Sequence, residues 1–209
     1  MERLDKRLAA TGRWSRKEAR ELIRAGRVTI DGQCARAPEQ KVGDEAVAVD
    51  GVPLERDSAV YLMLHKPGGM VSATEDTREK TVLSLLPEQY QKQGVFPVGR
   101  LDKDTEGLLL LTNDGPLAHR LLSPKNHVDK VYYAQVDGIL NQEDCEAFHC
   151  GVTLADGYTC LPAGLELLEG GRAALVTVRE GKYHQVKRML AARGKPVTYL
   201  KRVRFGPLV

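Results

Sequence analysis

Pro97-Val98-Gly99-Arg100-Leu101-Asp102-Lys103-Asp104-Thr105-Glu106-Gly107-Leu108-Leu109-Leu110-Leu111-Thr112-Asn113-Asp114-Gly115 joins a polar loop to four consecutive leucines and closes on an Asn-Asp-Gly turn signal. An apolar run that short, bounded by turn residues, reads as a buried strand rather than a helix. Two carboxylates, Asp102 and Asp104, together with Arg100 and the Thr105 hydroxyl, therefore stand at the mouth of a core strand. Such a rigid edge is a good place to hold a reactive group. On spacing alone, the same residues equally suit a polar loop whose Asp and Thr side chains cap their own backbone.

The segments around this strand repeat the pattern of short strands joined by turns. Ala59 to Leu64 reads as a strand ending in the turn His65-Lys66-Pro67-Gly68-Gly69-Met70, where Lys66 and the loop amides suit a phosphate site and an ordinary hairpin turn equally. Downstream, Pro116 suits the first turn of a helix reaching Leu122, and Val131–Val136 is rich in strand formers. Asn141 caps a helix that runs to Cys150, and Leu161–Leu168 and Arg172–Arg179 make a hairpin around Gly170-Gly171. A helix spans about His184 to Arg193 with Gly194 as its stop, and Val197–Phe205 is a last, basic strand. Strands outnumber helices, which predicts an α+β domain with a mainly antiparallel mixed sheet and flanking helices.

Before residue 50 lies a separate small unit of helix, helix and strand. Leu4 and Leu8 stand at helical spacing and Gly12 ends that helix. Ser15-Arg16-Lys17-Glu18 matches a capping box. In the helix that follows, Ala19, Leu22 and Ile23 share one face, while Arg16, Lys17, Arg20 and Arg24 gather on an adjoining arc of about 100°. Gly26 stops the helix, and Arg27-Val28-Thr29-Ile30-Asp31-Gly32 reads as a strand entering a tight turn. With Arg3, these cations make a candidate RNA-phosphate surface, although a solvated basic helix face would look the same. Residues 50–58, rich in Gly, Pro and charge, read as a linker and divide the chain into 1–57 and 58–209.

Composition narrows the setting. The chain has 209 residues, 42% of them hydrophobic, and is globular rather than disordered. No run approaches the roughly 18 apolar residues of a membrane helix, and the charged start lacks a signal-peptide pattern, so a cytoplasmic protein with no membrane partner is expected. The four cysteines lack metal or disulfide spacing, so no metal is expected. The net charge of +3 hides an uneven distribution. Residues 1–33 hold nine Lys/Arg against five Asp/Glu, and residues 179–204 hold nine against Glu180 alone, so the middle is acidic. Basic zones at both ends suggest a polyanion partner.

Two family resemblances rest on these motifs. Arg3–Leu8, Ser15–Ala19 and Gly26–Gly32 resemble the small RNA-binding domain named after ribosomal small-subunit protein four, which implies binding to structured RNA. The motif Gly99–Leu109 resembles the defining motif of the pseudouridine synthases, in the branch that modifies ribosomal RNA and carries that N-terminal domain. His65-Lys66-Pro67-Gly68-Gly69, Lys130-Val131-Tyr132 and Glu180–Leu190 match further family motifs in order. The resemblance implies Asp102 as the catalytic aspartate, Tyr132 as the ring that stacks on the target base, and Lys187 as the cation paired with the aspartate. It places Leu190 as an apolar contact to the active site and Arg100 beside Asp102, and makes Lys66, Lys130 and His184 candidate substrate contacts. No cofactor is implied. The expected partner is ribosomal RNA or a ribosomal-subunit assembly intermediate, met by a monomer. Lys125–Lys130 and Lys182–Met189 look closer to the small-subunit enzyme than to its large-subunit relatives. The branch usually adds a short segment after the residues matching Phe205–Val209.

Other readings compete. A large-subunit synthase keeps the chemistry, and a non-catalytic RNA-binding assembly factor would use both basic zones but has no need of Asp102. A metal-dependent phosphodiesterase would need Asp102 and Asp104 to converge, which is not expected, and a glycoside hydrolase needs a second well-placed carboxylic acid.

Overall fold

Local capping sets the first unit. In the computed structural model, which describes residues 1–54 and 59–209, the Ser15 hydroxyl accepts from the Glu18 amide at 3.2 Å and the Glu18 carboxylate accepts from the Ser15 amide at 2.6 Å. This reciprocal cap starts α2 (Arg16–Arg24) opposite α1 (Leu4–Ala10). Leu4, Leu8, Ala19, Leu22 and Ile23 bury together against Val28, Val42, Val47 and Val49. Asp31 and Gly32 both take positive φ (48° and 79°), which folds β1 (Val28–Ile30) back onto β2 (Gln33–Cys34). With β3 (Val47–Val49) and β4 (Val52–Pro53) they form a four-stranded sheet in the order β2-β1-β3-β4. The boundary expected at residue 57 lies outside the described residues.

The second sheet has seven strands. They are β5 (Tyr61–Lys66), β6 (Phe96–Pro97), β7 (Glu106–Thr112), β8 (Lys130–Val136), β9 (Gly164–Leu168), β10 (Ala173–Val178) and β11 (Val197–Phe205). Their order is β9-β10-β8-β11-β7-β5, and β6 also pairs with β7. Every pairing is antiparallel except β7 with β11, where Glu106 faces Lys201 and Gly107 faces Arg202. The expected mixed, mainly antiparallel sheet is therefore present. Gly107 is required at that seam: it has φ 101°, and a Cβ there would lie 2.2 Å from the Arg202 carbonyl oxygen.

Leu108–Leu111 is apolar throughout because both faces of β7 are covered. Leu109 and Leu111 enter a core with Met70, Val82, Val95 and Leu101, whereas Leu108 joins Val98, Ala118 and Phe205. Four helices complete the layer: α3 (Glu88–Lys92), α4 (Gly115–Leu122), α5 (Gln142–Cys150) and α6 (Gln185–Ala192). The larger core gathers Ala134, Phe148, Val176, Val178, Val186, Met189 and Leu190. Tyr132 packs against both this core and the Leu109–Leu111 core.

Candidate active site

The loop bearing Asp102 is pinned from below. Ser72 Oγ donates to the Leu101 carbonyl and accepts from the Leu101 amide, both at 3.0 Å. Lys66 Nζ donates to the carbonyls of Pro67 (3.0 Å), Lys103 (3.1 Å) and Thr105 (2.7 Å). Burial lowers the pKa of Lys66, an effect opposed by the fields of Asp104, Asp102 and Glu106. The Thr105 amide closes a turn onto the Asp102 carbonyl at 3.1 Å.

The opposite wall is the start of α6. Glu180 is buried, and its carboxylate accepts from the Tyr158 hydroxyl (2.6 Å), the Leu161 amide (2.8 Å) and the Gln185 side-chain amide (2.9 Å). The hydrogen bond to this carboxylate pushes the Tyr158 pKa up to about 12. Gln185 also accepts from the Lys182 amide at 3.0 Å, so the turn leading into α6 is held from both sides.

The two walls meet through charge. Lys187 Nζ lies 3.2 Å from Asp102 Oδ2 and 2.6 Å from Asp104 Oδ1, and His184 Nε2 lies 3.5 Å from Asp102 Oδ1. Burial works against the charge on Lys187, but the hydrogen bond to Asp104 and the Asp102 field outweigh it and raise its pKa. The same hydrogen bond lowers that of Asp104. One quarter of the Asp102 side chain stays exposed. Between the walls opens a cleft lined among others by Arg100, Asp102, Thr105, Tyr132, His184 and Gln185. Thr105 Oγ1 is buried without a hydrogen-bond partner among the described residues. An ionised, cation-held oxygen beside a flat aromatic ring can act as nucleophile or base on a planar substrate.

Four expectations need correction. Asp102 and Asp104, not expected to converge, both reach Lys187 because residues 102–105 form a turn. Lys66 is fully buried and commits its ammonium protons to three carbonyls, which leaves none for a phosphate. Lys130, expected as a substrate contact, pairs in regular register with Val178 of β10 at the start of β8. Lys130 instead lies 5.5 Å from the centre of the Phe205 ring, next to buried Arg202 and outside the cleft lining. Leu190 is fully buried in the core against which Tyr132 packs and does not line the cleft. Asp102, Tyr132, Arg100 and His184 do come together around the cleft, with Lys187 at its charged edge.

Glu180 and Gln185 are site residues that the sequence motifs alone do not single out. A single acid in a nine-cation run was the available signal for Glu180, because a carboxylate kept there needs a local partner. On the first domain, Arg16, Lys17 and Arg24 are exposed on α2. Arg3 and Arg20 each contact buried Asp5 at 3.0 Å, and Arg27 contacts Asp50 at 2.5 Å. The hydrogen bond from Arg3 overcomes desolvation and, with that from Arg20, lowers the Asp5 pKa to about 2. Part of the basic surface is therefore structural.

Among the described residues, no helix is long and apolar enough to cross a membrane. Residues 60–192 match the model of the RNA pseudouridylate synthase family, and residues 2–53 match the S4 domain. An uncharacterized RNA pseudouridine synthase of Bacillus subtilis is 47% identical over 98% of this chain and 87% of its own. A protein of Pseudomonas aeruginosa named ribosomal small subunit pseudouridine synthase A is 41% identical over 99% of this chain and 90% of its own. A B. subtilis protein named ribosomal large subunit pseudouridine synthase B is 39% identical over 99% and 86%. A crystal structure of a pseudouridylate synthase superposes with a TM-score of 0.67 at 33% identity, covering 99% of this chain and 89% of that one. With a cleft built around the aspartate of its motif, an S4 domain ahead of it and relatives that align over nearly all of its length, this chain belongs to the RNA pseudouridine synthase family.

Proposed function

We propose that this chain converts one uridine of small-subunit ribosomal RNA to pseudouridine, with Asp102 as the catalytic carboxylate, Tyr132 against the uracil and Lys187 aiming the carboxylate. The observation that carries this reading is the 3.2 Å contact between Lys187 and Asp102 at the mouth of a cleft that Tyr132 lines. The reaction breaks the bond from uracil N1 to ribose C1′ and makes one from C5 to C1′. The C5 proton is lost and N1 gains one, so the change is an isomerisation with no net oxidation. A carboxylate serves it by attacking C1′ or by taking a proton from C2′. Either role needs a charged oxygen facing the sugar, which Lys187 favours by holding only one side of Asp102. The uracil must leave its stack to enter the cleft, where the Tyr132 ring supplies a new surface. Arg100 and His184 stand at the same opening as substrate contacts.

Arg16, Lys17 and Arg24, the exposed cations of α2 that Asp5 and Asp50 do not hold, would supply the phosphate contacts of the RNA-binding domain within 1–57, while 58–209 carries the chemistry. A monomer acting in the cytoplasm on rRNA or on an assembly intermediate fits this division. The small-subunit preference rests on Lys125–Lys130 and Lys182–Met189. Overall identity does not separate the two substrates, at 41% and 39%. Pseudouridine mapping of both rRNAs, from cells with and without the gene, tests the reading. Loss of one small-subunit site is expected. Loss of a large-subunit site overturns the substrate but keeps the chemistry, and no change in either rRNA removes rRNA as the substrate.

A further inference from the structure

Tyr183 takes no part in the contacts described so far, yet it is the most exposed aromatic side chain among the described residues, at 76%. Tyrosine ordinarily buries its ring and leaves only the hydroxyl wet. Here one face of the ring is covered by His184, with centroids 3.8 Å apart and planes inclined by 16°. His184 Nε2 in turn lies 3.5 Å from Asp102 Oδ1, so a two-ring stack runs outward from the reactive carboxylate to solvent. The backbone at His184 is left-handed (φ 49°, ψ 34°), which is costly for a residue with a Cβ. No side-chain cap on α6 offsets that cost, because the His184 side chain makes no capping hydrogen bond. What the left-handed turn delivers is the ring pair itself, with one flat face of Tyr183 left open.

We infer that Tyr183 is a stacking platform for a nucleobase neighbouring the target uridine. The inference rests on the proposed reaction, in which the uridine leaves the RNA stack and its neighbours lose a stacking partner. An open aromatic face at the cleft's rim replaces that partner for any base, so it adds affinity without selecting sequence. Tyr183 is thus a binding residue, not a catalytic one.

Single-turnover tritium release from unmodified small-subunit rRNA, labelled at uridine C5, reads this directly when combined with a scan of abasic sites around the target. Tyr183→Ala is expected to weaken RNA binding about 5- to 150-fold while the rate at saturating RNA changes little. Tyr183→Phe and Tyr183→Trp restore the affinity, because the ring and not the hydroxyl makes the contact. One abasic position flanking the uridine should cost the wild type the same factor and cost Tyr183→Ala nothing further. Unchanged affinity in Tyr183→Ala, or Phe behaving like Ala, overturns the platform. Equal sensitivity of wild type and Tyr183→Ala at every abasic position overturns it as well. Failure of the underlying reading shows separately: the wild type would then release no tritium from either rRNA.

Discussion

Helix α6 holds a carboxylate cluster at each end. At its first turn, Lys187 and the N-cap residue His184 converge on Asp102, and Lys187 also holds Asp104. Past its other end, Arg193 (2.9 Å) and Lys195 (2.6 Å) close on Asp144, whose side chain is fully buried. Asp144 also accepts from the Asn141 amide at 3.0 Å, completing a capping box for α5. Every demand of that carboxylate is met by the protein, which is what a structural ion cluster requires. Asp102 has the same kinds of partner, but a quarter of its side chain is open and faces the cleft. The difference lies in saturation: a carboxylate with all its contacts made can only brace the fold, and one with a free side can react.

The largest effect should come from the open end. Asp102→Asn keeps the shape and removes the charge, so tritium release should fall by at least ~10³-fold while circular dichroism and RNA affinity stay near those of the wild type. Activity within tenfold of the wild type would take Asp102 out of the chemistry and dissolve the contrast.

At the closed end the loss should be in stability. Asp144→Asn leaves two cations facing an amide, and denaturant unfolding should show a loss of about 2–4 kcal/mol, with the turnover of the folded protein little changed. Burial opposes the charge on Asp144, but the hydrogen bonds from Lys195 and Arg193 outweigh it and hold the pKa below its ordinary value. The linkage has a definite sign: this contribution is complete above the unfolded carboxylate pKa of about 4 and fades as pH falls below it. The variant should lack that part of the acid dependence. An unchanged stability profile below pH 4 would mean that Asp144 braces nothing.

A smaller effect is expected from Lys187→Met, which leaves Asp102 with His184 alone. Turnover should drop about 10- to 100-fold through poorer aim, with KM changed little. A rise in KM at unchanged turnover would show that Lys187 grips RNA and does not serve the carboxylate.

How much of this could be read from residues alone depended on the reach of each interaction. The caps at Ser15–Glu18 and Asn141, the turn at Asp31-Gly32 and the strand Leu108–Leu111 are set by neighbours in sequence, and all were legible. Lys66 was not, because two of the three carbonyls that capture it lie 37 and 39 residues on, and a buried lysine at the end of a strand looks the same as a phosphate-binding one. Lys130 was not legible either, because the Phe205 ring it lies against belongs to a strand distant in sequence. The Asp104–Lys187 contact spans 83 residues and has no local signature. Asp102, Tyr132 and Lys187 were found as parts of motifs, and the fold supplies the distances between them.

The close approach at Gly107 also bears on the timing of folding. Strand β11 is the last of the sheet in sequence, yet it inserts between β8 and β7, with Arg202 against Gly107. The Asp102 loop leads directly into β7, and α6 with Lys187 leads directly into β11. The two walls of the cleft are therefore joined only when this late strand docks, a non-local closure of the kind that folds slowly. A chain synthesised from its N-terminus completes the α1–α2 domain long before Arg202 exists. On the ribosome, the capacity to hold RNA thus arrives first, and the capacity to rearrange it waits for the final strand.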